Sequence, residues 1–421
     1  MPRIPSCPLP GAALSPAAAL YFAVGARPEQ RETAGAVARW AAEQVTEGDW
    51  RLITRRLAGA RALGVASRGA GAFGIRLPAS QAESWRRGAM VADFRQTRLS
   101  AALGEALATL AQAGIPSLLL KGAALAARVY PGGFLDRPMS DLDVLVAAHT
   151  APAAYDALRR AGWNADPAPG RAAFYAAHHH LPPLSCPDSG ALLELHRSAL
   201  PPGHPFAWRD DAFWSGAEPA CVAGVPALVP AAEELLLHAA VHFAWAHELR
   251  VVSWTAVRDI AVLAPGVDWE RVAALAEERR AGTSLYWAAR LARRLGHAEV
   301  PAEAVRDLRP PRARTTRAML ERHFVLDLAP PGPPVSTARL RRACWMLALA
   351  PHASGHGAAR PWGSGGARAS GAPAPDGGRG ATQAGGGAGR LRPPGALQRL
   401  LREVRRGPRW LAWGRAVLFG S

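Results

Sequence analysis

The stretch Leu118-Leu-Leu-Lys-Gly-Ala-Ala-Leu-Ala-Ala-Arg-Val-Tyr130, followed by Arg137-Pro-Met-Ser-Asp-Leu-Asp-Val-Leu-Val146, decides the fold of this chain. Residues 115–120 form a short apolar run that Gly122 ends, which predicts a buried strand. Ala123–Tyr130 is predicted as a helix, and Asp141–Val146 as a second strand that alternates at its start. The pattern therefore predicts a strand, helix and strand unit with polar side chains at the strand ends.

Asp141 and Asp143 are two residues apart on the predicted second strand, so their side chains share one face while Leu142 faces the core. Two carboxylates on one strand face repel each other unless a cation lies between them. Oxygen ligands that leave positions open for phosphates suit Mg²⁺. Taken alone, the pair also fits a solvated strand end, where paired acids are common.

Lys121 is the single lysine among the 50 Lys and Arg residues of the chain. It stands at the end of the first strand, beside Gly122, in a sequence that otherwise uses arginine. Lysine is a point-charge partner of phosphate, and it differs from arginine in shape and hydration. We expect Lys121 to contact phosphate; the alternative is that the position of a single lysine is a matter of chance.

The order strand, Lys-Gly turn, helix and Arg-Pro-x-Ser-Asp-x-Asp strand resembles the nucleotidyltransferase fold of the DNA polymerase beta superfamily, and most closely its uncharacterised nucleotidyltransferase family. The similarity runs from about Val91 to Pro310. Members of that superfamily typically hold two Mg²⁺ ions on the Asp pair and a third carboxylate, and transfer a nucleotidyl group from an NTP. Their usual turn is Gly-Gly or Gly-Ser, whereas Gly122-Ala123 offers no hydroxyl. Lys121 and backbone N–H groups would therefore contact the triphosphate.

Leu192-Leu-Glu-Leu-His-Arg197 alternates, which predicts a strand with Glu194 and His196 on one face. It follows the hairpin signal Pro187-Asp-Ser-Gly190, with His179–Leu184 as the predicted first strand. The resembling family has an acidic-Leu-His strand at the same point, which implies that Glu194 is the third metal carboxylate. The alternative is a surface glutamate on an edge strand.

The resemblance implies one active site with two sets of residues. Asp141, Asp143 and Glu194 would be catalytic and hold Mg²⁺, while the nucleotide would contact Lys121, Gly122, Arg137, Ser140 and His196. Arg137 either neutralises phosphate charge together with Lys121 or anchors its own loop by pairing with Asp136 or a backbone carbonyl.

Histidines precede and follow this region. The adjacent residues 178–180 cannot all face one site on an extended chain, so we expect at most one of them to reach the active site, and no zinc ion there. His238 and His242 lie four apart on a predicted helix. The residue after His238 is Ala239 rather than the glutamate of zinc proteases, which favours buried structural histidines. We expect Asp259 to orient His242.

Composition limits the class of protein. The 421 residues allow two or three domains, and four scattered cysteines without a C-x-x-C pair fit a reducing cytoplasm. The net charge is +17, but residues 331–421 hold 14 Arg against Asp376 and Glu403, a net of +12, which leaves +5 for the first 330 residues. The basic charge belongs to a tail, so a nucleic-acid partner is not expected.

The N-terminal third is predicted to be mostly helical. Prolines interrupt the apolar patch within residues 1–26, which we predict as a loose lead-in rather than a signal peptide. Glu29–Arg61 is predicted as one or two amphipathic helices, residues 64–74 as a loop, and Val91–Gly114 as a helix.

The C-terminal tail has two predicted parts. Pro351–Pro394 is too rich in Gly, Ala, Arg and Pro to bury a core. Ala396–Phe419 is predicted as a basic amphipathic helix, broken near Gly407, which lies on an anionic membrane, contacts a partner protein or packs on its own domain.

We therefore predict an α+β chain with four parts: a helical lead-in (1–90), a nucleotidyltransferase-like core with a small mixed β-sheet and flanking helices (91–230), a helical domain (231–330), and a disordered basic tail with a terminal amphipathic helix (331–421). The predicted function is Mg²⁺-dependent transfer of a nucleotidyl group from an NTP to an unidentified acceptor hydroxyl, by a cytoplasmic enzyme that the last helix would make peripheral to a membrane. The competing prediction is a non-catalytic nucleotide-binding or regulatory module on the same fold, favoured by Ala123 and by Glu rather than Asp at position 194.

Overall fold

The computed structural model describes residues 14–26, 31–165, 172–250, 253–349 and 407–418. Within these ranges one mixed sheet has the strand order β3-β4-β5-β2-β1-β7-β6. The strands are β1 Leu118–Leu119, β2 Asp141–Leu145, β3 Asn164–Ala165, β4 Leu184–Ser185, β5 Leu192–His196, β6 Glu218–Val222 and β7 Val225–Val229. Strand β1 pairs antiparallel with β2 and parallel with β7, and β2 pairs parallel with β5. The predicted α+β class is confirmed.

Among the described residues, helices surround this sheet. They are α1 Pro16–Ala23, α2 Arg31–Gln44, α3 Glu47–Gly59, α4 Leu63–Ala72, α5 Ala79–Gln112, α6 Lys121–Arg128, α7 Ala151–Arg160, α8 Ala172–Ala176, α9 Asp211–Ser215, α10 Ala232–Val241, α11 Ser253–Leu263, α12 Trp269–Glu278, α13 Gly282–Gly296, α14 Ala302–Asp307, α15 Arg314–Leu328, α16 Ala338–Leu349 and α17 Gly407–Leu418. A π-helical turn, His242–Ala246, continues α10.

Strand β1 is shorter than the apolar run predicts, because the turns at its two ends take up the flanking residues. Helix α5 ends at Gln112, Gly114 follows it with φ +69, and the Ile115 N–H donates back to the Leu110 carbonyl. At the other end Leu120 donates to the Asp143 carbonyl, and α6 begins at the next residue. Ile115 and Leu118–Leu120 of the run are nevertheless buried, as predicted, whereas Pro116 is exposed.

Helix α5 begins well before the predicted Val91 and crosses the sheet, where it fixes the segment that leads into β2. The buried amide of Gln96 donates to the Met139 carbonyl at 3.0 Å and accepts from the Met139 N–H at 3.2 Å. Both hydrogen bonds are buried, so they hold the backbone two residues before Asp141.

Two predictions for the N-terminal region are wrong. Residues 64–74 are not a loop, since α4 spans most of them with Val65 and Ala70 buried. The glycines serve close packing: a Cβ at Gly69 would overlap the Val24 carbonyl oxygen. Residues 1–13 of the predicted loose lead-in lie outside the described residues, and the rest contains α1, a helix that starts with a Ser15 N-cap and is buried from Ala17 to Ala23. Helix α1 is apolar on all sides because the core encloses it.

The chain after β7 is helical, as predicted, and helix α17 packs on α15. Val417 is fully buried, and Arg322 donates to the carbonyls of Val417 at 3.2 Å and Leu418 at 2.7 Å. The predicted unfolded stretch Pro351–Pro394 lies outside the described residues. In the part of the chain that the structure describes, no helix is long and apolar enough to cross a membrane.

Candidate active site

Strands β2 and β5 bring the predicted carboxylates together. Their parallel register aligns Asp143 with Glu194 and Leu145 with His196. Side chains in register on adjacent strands lie on the same face of the sheet, so Asp143 and Glu194 are neighbours. Strand β5 lies between β4 and β2, so the alternative that Glu194 is a surface residue on an edge strand is wrong.

Asp143 is the centre of the site. Its Oδ1 lies 2.7 Å from Lys121 Nζ and 2.9 Å from His196 Nε2, and its side chain is 5% exposed. Burial alone would raise the pKa of Asp143, but the Lys121 charge and the His196 hydrogen bond outweigh burial and hold that pKa well below its usual range. Asp143 is therefore ionised throughout the neutral range.

Lys121 contacts carboxylates on both strands. Its Nζ lies 2.7 Å from Asp143 Oδ1 and 3.8 Å from Glu194 Oε2. Burial would lower the pKa of Lys121, but the charges of these two carboxylates outweigh burial and the pKa is raised, so the ammonium form persists. Lys121 is also a non-glycine residue with φ +47. A left-handed backbone at such a residue is costly and is typical of functional sites.

His196 lies underneath the carboxylates and has no exposed surface. Its Nε2 is 2.9 Å from Asp143 Oδ1 and 3.6 Å from Glu194 Oε2, and its Nδ1 is 3.4 Å from the Ser198 carbonyl. Burial would lower the pKa of His196, yet its hydrogen bonds to both carboxylates leave the pKa raised. The geometry is that of a positioning residue for the carboxylates, whereas the resemblance implied direct contact with the nucleotide.

Arg137 is held by a carboxylate from the helical part of the chain. Its Nε donates to Asp259 Oδ1 and its Nη2 to Asp259 Oδ2, both at 2.7 Å. The Tyr130 hydroxyl also donates to Asp259 Oδ1, at 2.7 Å. Its Nη1 donates to the Pro138 carbonyl. Two roles are predicted for Arg137, neutralising phosphate charge and anchoring its own loop. This geometry corresponds to loop anchoring, with Asp259 as the carboxylate partner in place of Asp136.

Asp259 therefore does not make the contact that the sequence predicts. The Asp259 carboxylate accepts hydrogen bonds from Arg137 and Tyr130. His242 Nε2 instead lies 3.2 Å from His247 Nε2. Neither the Asp259 pairing nor His247 was found from the sequence, because the partners are far apart along the chain and no local motif links them.

These side chains border one cavity of about 1030 Å³. Its walls include the predicted residues Lys121, Gly122, Arg137, Ser140, Asp141, Asp143 and Glu194. His238 and His242 also line it, and burial lowers the pKa of both, to about 3 for His238. The cavity is large enough for a nucleotide together with part of a second ligand.

The model of the family described as uncharacterised nucleotidyltransferase matches residues 46–297, more than half of the chain. The chain belongs to this family. No curated protein and no solved structure gives a significant match. Membership supports nucleotidyl transfer as the general function, and the matched segment contains every predicted site residue. It begins in front of α3, so the family region extends further towards the N-terminus than the sequence resemblance predicts.

Asp141 has the least compensated charge of the three carboxylates. Ser140 Oγ donates to its Oδ1 at 2.7 Å. Burial and the nearby charge of Asp143 raise the pKa of Asp141, and the Ser140 hydrogen bond offsets this only in part. Excess negative charge among oxygen ligands is what a hard divalent cation neutralises. Ligand atoms of Asp143, Glu194 and His196 lie within 4.8 Å of one another. Asp143, Glu194 and His196 could therefore hold a divalent cation, and Asp141 lies outside this group, on the same strand face as Asp143.

The prediction that at most one of the three adjacent histidines reaches the active site is wrong. His178, His179 and His180 all line the cavity, and one ring nitrogen of each lies within 4.8 Å of the others. Residues 177–179 form a turn and bends in front of the bridge at His180, so the side chains do not alternate as on an extended strand. His180 Nε2 lies 3.8 Å from Glu194 Oε2, which places this cluster beside the carboxylates.

Proposed function

We propose that this chain is a Mg²⁺-dependent nucleotidyltransferase that moves a nucleotidyl group from an NTP to an acceptor hydroxyl. The observation that carries the proposal is the parallel register of β2 and β5. It sets Asp143 beside Glu194 and on the same strand face as Asp141. The family membership supports the same type of reaction at a coarser level.

The carboxylates supply the anionic part of the site. Asp141, Asp143 and Glu194 would hold Mg²⁺ through oxygen ligands. When bound, Mg²⁺ would stabilise the attacking and leaving oxygens of the displacement at the α-phosphorus. Hydrogen bonding to His196 opposes burial and lowers the pKa of Glu194. Glu194 is therefore ionised at neutral pH and can also accept the proton of the acceptor hydroxyl.

Lys121 supplies the cation for the phosphates. An ammonium group has three N–H donors, and one of them is directed at Asp143. The side chain is 18% exposed at the cavity, so the other donors can reach phosphate oxygens while the ion pair persists. Held in this way, Lys121 would neutralise charge on the leaving pyrophosphate.

Arg137 acts on the same site through the backbone. Its bidentate pair with Asp259 ties the segment before β2 to helix α11. Together with the Gln96 hydrogen bonds to Met139, this pair would fix the position of Asp141 and Asp143 relative to the helical wall of the cavity.

The competing function is a nucleotide-binding module without transfer, and one observation favours it. The Lys121 ammonium already neutralises Asp143, so the carboxylate does not need a metal ion for charge balance. In such a module Mg²⁺ would not strengthen NTP binding.

Calorimetric titration with each NTP, with and without Mg²⁺, separates the two functions. The transferase should bind an NTP in a Mg²⁺-dependent manner; binding that is indifferent to Mg²⁺ supports the module. Incubation with cell extract and α-labelled or γ-labelled NTP then tests the reaction. Nucleotidyl transfer moves the α label to an acceptor and releases pyrophosphate, whereas transfer of the γ label alone contradicts it. The Asp143→Asn variant is the control for both labels.

A further inference from the structure

The three adjacent histidines form a cluster that the proposed transfer reaction does not use. The ring centroids of His178 and His179 are 4.2 Å apart, those of His178 and His180 4.1 Å, and those of His179 and His180 5.0 Å. All three side chains border the cavity. A chain segment with a regular strand geometry would separate them onto two faces.

Arg197 holds the bend that gathers the three rings. Its guanidinium donates to the carbonyls of Tyr175 and His178, at 2.9 Å and 2.8 Å, and to that of Ala176. Its backbone N–H donates to the His179 carbonyl at 2.9 Å. The Arg197 side chain thus satisfies three carbonyl oxygens of the bend and fixes its backbone. The fold therefore holds the three rings together before any ligand binds.

The spacing of the ring nitrogens suits a small tetrahedral ion. One ligand nitrogen from each of the three histidines lies within 4.8 Å of the other two. Two nitrogens on a tetrahedral zinc ion are about 3.3 Å apart, as follows from Zn–N bonds of about 2.0–2.1 Å. The distance between each pair of ring nitrogens therefore has to shorten by at most about 1.5 Å. Rotation about the side-chain torsions is sufficient for a shift of this size.

The hydrogen bonds of two of the three rings suit metal ligands, whereas His178 Nδ1 accepts from the His180 backbone N–H at 3.4 Å and leaves Nε2 as the ligand atom of His178. His180 Nδ1 lies 2.7 Å from the Leu181 carbonyl, so Nδ1 carries the proton and Nε2 presents a lone pair. A backbone carbonyl on the second nitrogen is the usual support of a ligating histidine. His179 Nδ1 is buried and has no hydrogen-bond partner among the described residues.

Glu194 adds a charge and a fourth ligand position. Its Oε2 is 3.8 Å from His180 Nε2. Three imidazoles with one carboxylate oxygen are ligands that zinc-class ions prefer, whereas Mg²⁺ prefers oxygen alone. Glu194 also lies beside Asp143 in the sheet register, so the histidine cluster and the carboxylates border on each other through this side chain.

We propose that His178, His179 and His180 form a site for a zinc-class divalent ion, distinct from the Mg²⁺ site and adjoining it at Glu194. The three histidines and Glu194 would together give the ion four ligands, as in tetrahedral zinc sites. The proposal does not depend on nucleotidyl transfer, because it concerns metal binding by the resting protein.

The test uses the full chain, purified without a polyhistidine tag, stripped with a chelator and titrated with Co²⁺ as a spectroscopic substitute for Zn²⁺. We expect one equivalent of Co²⁺ to bind with the intense visible bands of a tetrahedral ion. Zn²⁺ should displace it, and a large excess of Mg²⁺ should not. His179→Gln and His180→Gln should each weaken Co²⁺ binding by about tenfold or more. His204→Gln is the matched control, since His204 lines the same cavity outside the cluster.

Asp143→Asn decides between the two neighbouring ligand groups. If Co²⁺ sits on the histidines, this variant retains the tetrahedral spectrum. If Co²⁺ sits on Asp143, Glu194 and His196 instead, Asp143→Asn loses it while His179→Gln keeps it, and the proposal is overturned. Absence of Co²⁺ and Zn²⁺ binding to the wild-type chain also overturns it, independently of how well any variant folds.

Discussion

The Lys121 ammonium lies 2.7 Å from Asp143 Oδ1, and it joins the start of helix α6 to strand β2. The contact pairs the single lysine of the chain with the carboxylate at the centre of the site. It also gives that lysine two roles, because the same group that stabilises a buried carboxylate faces the cavity in which phosphates would bind.

Lys121→Arg tests the phosphate role. The guanidinium is larger and planar and cannot occupy the space of the ammonium beside Asp143 and Glu194. We expect KM for NTP to rise and kcat to fall, with a combined loss of about 1–3 kcal/mol in kcat/KM for a charge-assisted hydrogen bond. Steady-state kinetics measures this, and Arg51→Lys, at an exposed position, is the reverse exchange that should have no effect. Wild-type kinetics for Lys121→Arg would mean that the lysine stands there by chance.

Asp141→Asn and Asp143→Asn should both abolish transfer, but only Asp143→Asn should lower the stability of the protein. Asp143 is stabilised by Lys121 and His196, so its replacement removes the main counter-charge of the Lys121 ammonium and should lower the free energy of unfolding by about 3 kcal/mol. Burial and Asp143 raise the pKa of Asp141, so ionised Asp141 opposes folding and Asp141→Asn should leave stability equal or higher. Chemical denaturation without divalent ions measures both. Equal losses of stability would contradict this account of the two charges.

Arg137→Lys and Asp259→Asn should act as one unit. Each breaks the bidentate pair, so each should lower stability, and the double variant should show a coupling energy of about 0.5–3 kcal/mol. The kinetic readout separates positioning from phosphate contact. A positioning role lowers kcat in both single variants, whereas a direct phosphate contact raises KM for NTP in Arg137→Lys and leaves Asp259→Asn unchanged.

Buried neutral histidines should make the protein sensitive to acid. Burial lowers the pKa of His238 to about 3 from its ordinary value of 6.5. Between these values the unfolded chain binds a proton that the folded chain does not, so stability falls as the pH falls from 6.5 towards 3. One such proton contributes about 1.4 kcal/mol per pH unit. His238→Gln should flatten the dependence of the unfolding free energy on pH between 6.5 and 4, while His149→Gln, at an exposed position, should not. An unchanged slope in His238→Gln would contradict the assignment.

Helix α17 should stabilise the body of the protein through one face. Val417 is fully buried, whereas Leu411 is 73% exposed. Val417→Asp should therefore destabilise the protein by about 1–3 kcal/mol, and Leu411→Asp should not. Thermal melting measures the difference. Binding to anionic vesicles tests the membrane role of the exposed face: Leu411→Asp should weaken it if α17 is a peripheral anchor, and vesicle binding that Leu411→Asp leaves unchanged excludes that role for this residue.

Local sequence patterns determined the elements that hold the site. The apolar run at Leu118–Leu120, the glycine after Lys121 and the alternation at Asp141 and Glu194 predict three strands and a helix, and the structure has them within a few residues. These features depend on the periodicity of side chains along one segment, which is a property that sequence states directly. For the same reason the alternation put Asp141 with Asp143, and Glu194 with His196, on common strand faces.

Tertiary structure alone decided which groups contact each other. The pairing of β2 with β5 sets Asp143 against Glu194, and the packing of α11 brings Asp259 to Arg137, 122 residues away. Glycines that predict a loop at residues 64–74 instead let α4 pack closely, because burial of its apolar face outweighs their low helix propensity. Arg197 turns adjacent histidines onto one wall, although neighbours on a strand would diverge. Such contacts depend on strand register and on the packing of distant helices, and neither leaves a periodic signal in the sequence around the residues concerned.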